Sequence, residues 1–269
     1  MAADANPNPT PSAAALRGFF DGDVWHSFRS SPVAMAAAVI ALVCLCCALF
    51  ADVVAPHKPF DLATLELMDS LKPPAWVEGG EAKYLLGTDG QGRDILSALM
   101  YGTRISLLVG IASVLLSMLI GVGLGLLAGF VGGRVDAFVM RVCDVMLSFP
   151  SILVALMISG VGRSLFPQAP DALAFVVLVL AIALTGWVQY ARTVRGSTLV
   201  ERNKEYVQAA RVIGVGPLRI MGRHVLPNVL GPVLVLATIQ IASAIITEAT
   251  LSFLGVGVPV TSPDRKSVV

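Results

Sequence analysis

The sequence predicts an all-α protein that crosses a membrane several times, and three observations carry that prediction. Hydrophobic residues make up 56% of the 269-residue chain and charged residues only 14%, a balance far from that of soluble domains. Five apolar runs are each long enough, at about 1.5 Å per residue, to cross a hydrocarbon core about 30 Å thick. Finally, Arg192, Arg195, Arg202, Lys204, Arg211, Arg219 and Arg223 gather between the fourth and fifth runs beside only Glu201 and Glu205, the one-sided charge of a cytoplasmic loop.

Taken in order, residues 1–31 form a polar, Pro-rich cytoplasmic tail. Residues 32–56 form the first span, which ends at Pro56 without a small-residue cleavage site and so reads as a retained helix rather than a signal peptide. The stretch 57–103 carries mixed charge and the turn signals Pro59, Pro73, Pro74, Gly79 and Gly80, and reads as an extramembrane loop or small subdomain. Within it Asp89 belongs to a turn with Gly90, Gln91 and Gly92, and Asp94 caps a helix beginning at Ile95. A core of 104–263 follows.

The second span covers 105–131, with Ser113, Ser117, Gly121, Gly125, Gly129 and Gly133 every four residues along one face, a stripe that lets another helix approach closely. The third, 135–161, contains Pro150 and is expected to kink or break there; Arg141 and Asp144 are placed to pair on its first turns. The fourth, 172–190, ends in the interfacial aromatics Trp187 and Tyr190. A polar segment, 191–224, precedes the fifth span, 227–256. With the basic segment inside, the amino terminus is also cytoplasmic and 57–103 lies outside; the Lys and Arg of that long loop weigh little in the rule.

Several chemistries are excluded or demoted. A net charge of +1 without a basic stripe offers no nucleic-acid surface. Cys44, Cys46, Cys47 and Cys143 lie in or beside apolar runs without zinc-ligand spacing, and His26, His57 and His224 are too far apart to suggest a cluster. No Gly-x-x-x-x-Gly-Lys-Ser/Thr phosphate loop occurs, so ATP hydrolysis belongs to no part of this chain. Glu248, an acid in an apolar run, invites a functional reading. Counted about 30 Å up the helix from Asn228, it belongs near the outer interface as a solvated or hydrogen-bonded structural acid. Asp52 reads as interfacial too.

The polar segment is the informative one. Its run Glu205-Tyr-Val-Gln208-Ala209-Ala210-Arg-Val-Ile-Gly214 reads as a short helix stopped by Gly214, Gly216 and Pro217. Spacing alone leaves two readings open: docking on a partner, or lying on anionic lipid.

This loop, written Gln208-Ala209-Ala210, then Gly214, then His224-Val225-Leu226-Pro227, resembles the Glu-Ala-Ala-x3-Gly-x9-Ile-x-Leu-Pro loop of ABC importer permeases. Gln208 replaces the Glu of that pattern and His224 the Ile. Arg223-His224-Val225-Leu226-Pro227-Asn228 is similar to the dipeptide and oligopeptide branch. So are Leu86-Gly87-Thr88-Asp89-Gly90-Gln91-Gly92-Arg93-Asp94, Tyr101-Gly102-Thr103-Arg104-Ile105-Ser106-Leu107 and Glu248-Ala249-Thr250-Leu251-Ser252-Phe253-Leu254-Gly255. The resemblance covers about 19–263.

The resemblance implies an ABC importer permease fold in a bacterial cytoplasmic membrane. It implies two homologous permeases forming the pathway, an extracytoplasmic solute-binding protein, and two cytoplasmic ATPase subunits that hold ATP and Mg, with no cofactor in this chain. Glu205, Gln208, Ala209, Ala210, Gly214, Leu226 and Pro227, within a coupling loop 192–226, would meet one ATPase. Dipeptides, oligopeptides, glutathione and nickel chelates are all carried by relatives. A secondary transporter or channel working without ATP is the alternative; it would need midplane acids or an inverted repeat, and neither is legible. Family members continue into a sixth span. Here 264–269, Asp264-Arg-Lys-Ser-Val-Val269, departs from the family and equals the in-frame translation of a common sequencing adapter, so five spans and a truncated reading of the gene are expected.

Overall fold

The computed structural model describes residues 23–61, 67–165 and 171–257; the expectations for most of the amino-terminal tail and for 264–269 fall outside them. Among the described residues the elements are helical, with one isolated antiparallel bridge between Thr88 and Asp94. Helix α1, Asp23–Ser30, leads into α2, Pro32–Leu49. Ser31 caps α2 by accepting the Ala34 N–H at 3.3 Å, and Pro32 occupies the first turn, where its missing N–H costs nothing. One further turn, Ala51–Val54, completes this span. Of α2 only Ala48 is buried. Lipid tails solvate its Val and Leu side chains as well as another helix would, so nothing drives it deeper into the bundle.

Helix α3 runs Ile95–Val131, starting well before the apolar run it contains. Asp94 sets that start: its Oδ2 accepts the Ser97 N–H at 3.1 Å and the Ser97 hydroxyl at 2.5 Å. Thirty-seven residues make a rod of about 55 Å, so α3 stands out of the bilayer. Two shorter helices follow, α4 (Gly133–Leu147) and α5 (Ser151–Leu165). The run breaks at the proline, as expected, and Gly133–Leu147 and Ser151–Gly162 meet at 88°. Pro150 has no N–H to continue α4, and its carbonyl instead opens α5 by accepting from Leu153 and Val154 at 3.0 and 3.2 Å.

Helix α6, Asp171–Glu201, does not stop at Tyr190 as its aromatics suggest. Tyr190, Ala191, Val194, Thr198 and Glu201 are all buried, so the helical period of the packed face carries straight into the polar segment. After it come α7 (Glu205–Val212), a turn at Pro217–Arg219, a π-helical turn at Ile220–Val225, and α8 (Leu226–Phe253). Among the described residues four stretches, Pro32–Leu49, Ile95–Val131, Leu173–Glu201 and Pro217–Phe253, are long and apolar enough to cross a membrane, and they become five when the bent α4–α5 pair is counted as one span.

The bundle is organised on α3 and α6, with α8 packed against both and α5 against α6. Close approach is possible because α3 turns its glycines toward α6. A Cβ on Gly121 would stand 2.4 Å from the Trp187 carbonyl oxygen, one on Gly125 2.4 Å from that of Ala191, and one on Gly129 2.7 Å from Thr198 Cβ. Ser117, one turn earlier, donates to the Ala183 carbonyl at 3.1 Å. Gly133 does not extend the stripe: it lies beyond the end of α3 at φ 57°, with nothing within 4 Å of a built Cβ. Val109, Leu178, Val194, Val207, Val225, Val229 and Leu251 fill the core around this seam.

Candidate coupling surface

The basic segment gathers at one end of the bundle, where α3 and α6 finish, α8 begins and α7 lies across them. Each junction is pinned by a named side chain. Arg202 Nη1 donates to the Gly129 carbonyl at 2.8 Å, satisfying one of the carbonyls that every helix end leaves without a partner. Glu201, at the end of α6, accepts from Lys204 Nζ and from the Tyr206 hydroxyl, both at 2.6 Å. Asn228 Nδ2 donates to the same hydroxyl oxygen at 3.2 Å and to the His224 carbonyl at 2.8 Å. Tyr206 therefore bridges α6 and α8 from the first turn of α7. Burial, followed by the bond to the Glu201 carboxylate, pushes its phenol above the ordinary range.

Helix α7 is amphipathic in the physical sense: Val207 and Ala210 are buried, while Gln208, Ala209 and Arg211 are exposed. Arg211 sets its guanidinium 5.2 Å from the centre of the Phe130 ring, at the end of α3, a cation–π contact. The helix stops at Gly214. There φ is +81°, the Gly214 N–H reaches the Arg211 carbonyl and the Val215 N–H the Ala210 carbonyl, each at 3.0 Å, and this left-handed closure is the one glycine adopts without steric cost. On either side of this stop Val212, Ile213 and Leu218 stand at 87%, 77% and 80% exposure, an apolar tip on an otherwise basic end.

The residues singled out in the loop thus separate. Glu205, Gln208, Ala209 and Gly214 are exposed, Ala210 is buried against the bundle, Leu226 is half-buried, and Pro227 is exposed in the first turn of α8. Of the adjacent alanines, Ala210 meets the bundle and Ala209 does not. Sequence reasoning missed Arg202, Tyr206, Asn228 and the Arg211–Phe130 contact. A signal for the first was present in the unbroken helical period from Tyr190 to Glu201, which puts Arg202 at the foot of α3.

Two ion pairs strap α4 to α6. Arg195 holds Asp136 by both its Nε and its Nη2, the latter at 2.6 Å. Asp144 pairs with Arg192 at 2.5 Å rather than with Arg141, as its spacing suggested. Elsewhere Glu248 is 5% exposed and accepts from Ser106 at 2.9 Å and Ser252 at 2.7 Å, so it is a buried, hydrogen-bonded acid and not a solvated one. Asp52, exposed, pairs with Arg104 at 2.9 Å.

At the opposite end the segment 67–94 is a folded knot rather than open loop. Asp69 accepts from Tyr84 Oη and Lys72 Nζ, each at 2.6 Å, and the two bonds, Lys72 first, hold its carboxyl down at about 2. Asp89 ties its own turn by accepting the Gln91 and Arg93 N–H groups at 2.8 and 2.9 Å.

Comparison with known proteins adds the family. A family described as the binding-protein-dependent transport system inner membrane component matches residues 121–268, and the N-terminal transmembrane domain of oligopeptide transport permease C matches 20–74. The di/tripeptide transport system permease protein DppC of Pseudomonas aeruginosa is 42% identical over 244 residues, covering 90% of this chain and 76% of that protein. The oligopeptide transport system permease protein OppC of Bacillus subtilis is 36% identical, covering 88% and 72%. The glutathione transport system permease protein GsiD of Pectobacterium atrosepticum is 37% identical, covering 90% and 75%.

Proposed function

Because this chain belongs to the family of binding-protein-dependent transport system inner membrane components, we propose that the solutes it passes are dipeptides, oligopeptides or solutes of similar kind, such as glutathione. It is a multi-pass membrane permease subunit of an ATP-driven importer. In the proposal the end bearing α7 is cytoplasmic, as is the amino terminus, and the knot at 67–94 faces outward. A second, homologous permease completes the pathway, an extracytoplasmic binding protein delivers the solute, and lipid covers the exposed faces of α2 and its neighbours. Two ATPase subunits, holding ATP and Mg, dock inside.

One observation carries the coupling: α7 is tied to three spans while presenting a bare outer surface. Tyr206 connects it to α6 and α8, and Arg211 to the end of α3. A push on Gln208, Ala209, Val212 or Ile213 from an ATPase closing on ATP would reach all three helices together. ATP can shift the permease only through a difference in how the ATPase binds its two states, and a rigidly held helix transmits such a difference where a loose linker would absorb it. Lipid, the other occupant of an amphipathic surface helix, favours the apolar face of the helix, and here Val207 and Ala210 of that face are already buried in protein.

The test is disulfide trapping in the assembled, transport-active complex with the four native cysteines replaced. Ala209→Cys should crosslink to a cysteine in the ATPase groove and Ala210→Cys should not. An active complex in which Ala209→Cys never crosslinks removes the coupling assignment. Accumulation of dialanine in membrane vesicles tests the solute class.

A further inference from the structure

The spans contain a feature that the coupling end leaves unused. Between α3, α6 and α8 lies an open cleft of about 220 Å³, far beyond the roughly 10–15 Å³ that one water requires. Ser113 and Ser117 from α3, Thr185 and Gln189 from α6, and Gln240 and Ser243 from α8 supply its polar wall, and no charged side chain lines it. At about 1.5 Å per residue Gln189 stands about 18 Å along α6 from Glu201, and Gln240 about 21 Å along α8 from Leu226. Both amides are therefore at similar depth along the helix axes, Gln240 half-buried and Gln189 exposed.

Polar groups at that depth are costly unless partnered, and several here follow the rule within their own helices. Thr185 donates to the Ile182 carbonyl at 2.9 Å and Ser243 to that of Ile239 at 3.4 Å. Others do not. Ser113 is fully buried, and its hydroxyl has no hydrogen-bond partner among the described residues. Nor does any hydrogen bond among them engage the carboxamides of Gln189 and Gln240. Neutral hydroxyls of Thr185 and Ser243 and the unengaged carboxamides of Gln189 and Gln240 thus line the cleft together.

We propose that this cleft is the chain's own share of the solute path and that it binds the backbone amide groups of short peptides, through Gln189 and Gln240. The assignment rests on the peptide reading above and deepens it. A carboxamide carries one acceptor oxygen and two donor hydrogens, and a hydroxyl carries both kinds, which is the complement of a peptide N–H and C=O. The backbone is what peptides with different side chains share, so a neutral wall of this kind accepts many of them without sorting by charge. Several individually weak bonds also let a solute leave as readily as it enters, which conduction demands.

The experiment uses the assembled complex in proteoliposomes, with Cys44, Cys46, Cys47 and Cys143 replaced by alanine. Ser243→Cys places a thiol on the cleft wall, and Trp76→Cys places one on an exposed position outside the spans. Dialanine should slow reaction of Ser243→Cys with a water-soluble methanethiosulfonate at least about threefold and leave Trp76→Cys unchanged, and Gln240→Leu, in a complex that still assembles, should lower dialanine uptake about three- to tenfold, the scale of one lost neutral hydrogen bond. If the parent complex accumulates dialanine while labelling of Ser243→Cys is unaffected by it, or while Gln240→Leu transports normally, the cleft assignment is wrong and the peptide reading stands. Tetra-alanine or glutathione replaces dialanine in both assays if only that solute accumulates, and a parent complex that accumulates none of the three overturns the peptide reading, and the cleft assignment with it.

Discussion

Arg202, one residue past the end of α6, donates to the carbonyl of Gly129, the last glycine of the α3 seam, at 2.8 Å. The residue that follows one span therefore closes the open end of another. Replacing Arg202 with alanine leaves that carbonyl to water and should cost about 1–2 kcal/mol, since the donor is charged but partly exposed. Lysine, which keeps the charge without the planar donor set, should recover part of the loss. Thermal unfolding of the detergent-solubilised chain measures both.

The glycine seam predicts a graded response. Gly125→Ala puts a Cβ 2.4 Å from the Ala191 carbonyl oxygen, which backbone shifts of α3 against α6 must relieve, at about 1–3 kcal/mol. Gly125→Leu exceeds what such shifts absorb, and the variant should lose assembly with its partner subunits by co-purification. Gly123→Ala, where a Cβ meets nothing within 4 Å, should be neutral.

The two straps between α4 and α6 should not be equal. Asp136 and Arg195 are 18% and 32% exposed and doubly bonded, whereas Asp144 and Arg192 are 54% and 45% exposed. Screening leaves the second pair about 0–1 kcal/mol. Removing one partner of the first strands a half-buried charge, so double-mutant cycles on thermal stability should give a coupling of about 1–2 kcal/mol for Asp136–Arg195 and a smaller one for Asp144–Arg192.

The knot at 67–94 should show acid sensitivity with a defined sign. Asp69 has an ordinary value of 3.8 and is held at about 2, so its contribution is complete above pH 3.8 and disappears as pH falls from there toward 2. Lys72, raised above its ordinary 10.5, contributes fully below that value and is lost only as pH climbs past it. Hydrogen exchange across 69–88, corrected for intrinsic rates, should be flat from pH 5 to 9 and accelerate below pH 4. Asp69→Asn should remove the acid step.

The apolar tip beside α7, at the end proposed to meet the ATPase, should be dispensable for folding and not for transport. Val212 and Ile213 are exposed and contact little, so Ile213→Glu should leave the unfolding midpoint within the small range typical of surface changes. It should lower ATP-driven uptake at least tenfold by placing a charge in the proposed ATPase contact.

Much of this molecule was legible before any coordinates. Apolar run length located the spans because a bilayer imposes one thickness on every crossing, and four-residue spacing located the α3 seam because only small side chains let two backbones approach. The Asp94 cap and the turn at Gly214 were readable because caps and helix stops are local chemistry, decided within four or five residues. Tertiary structure decided what depends on partners distant in sequence. It carried α6 past Tyr190, since burial against α3 outweighs the polarity of the segment. It gave Asp144 to Arg192 rather than to Arg141, because a neighbouring helix offered the better cation. It turned Ala210 inward and left Ala209 outside, a distinction one residue wide that a sequence pattern, blind to which face of a short helix meets the bundle, does not contain.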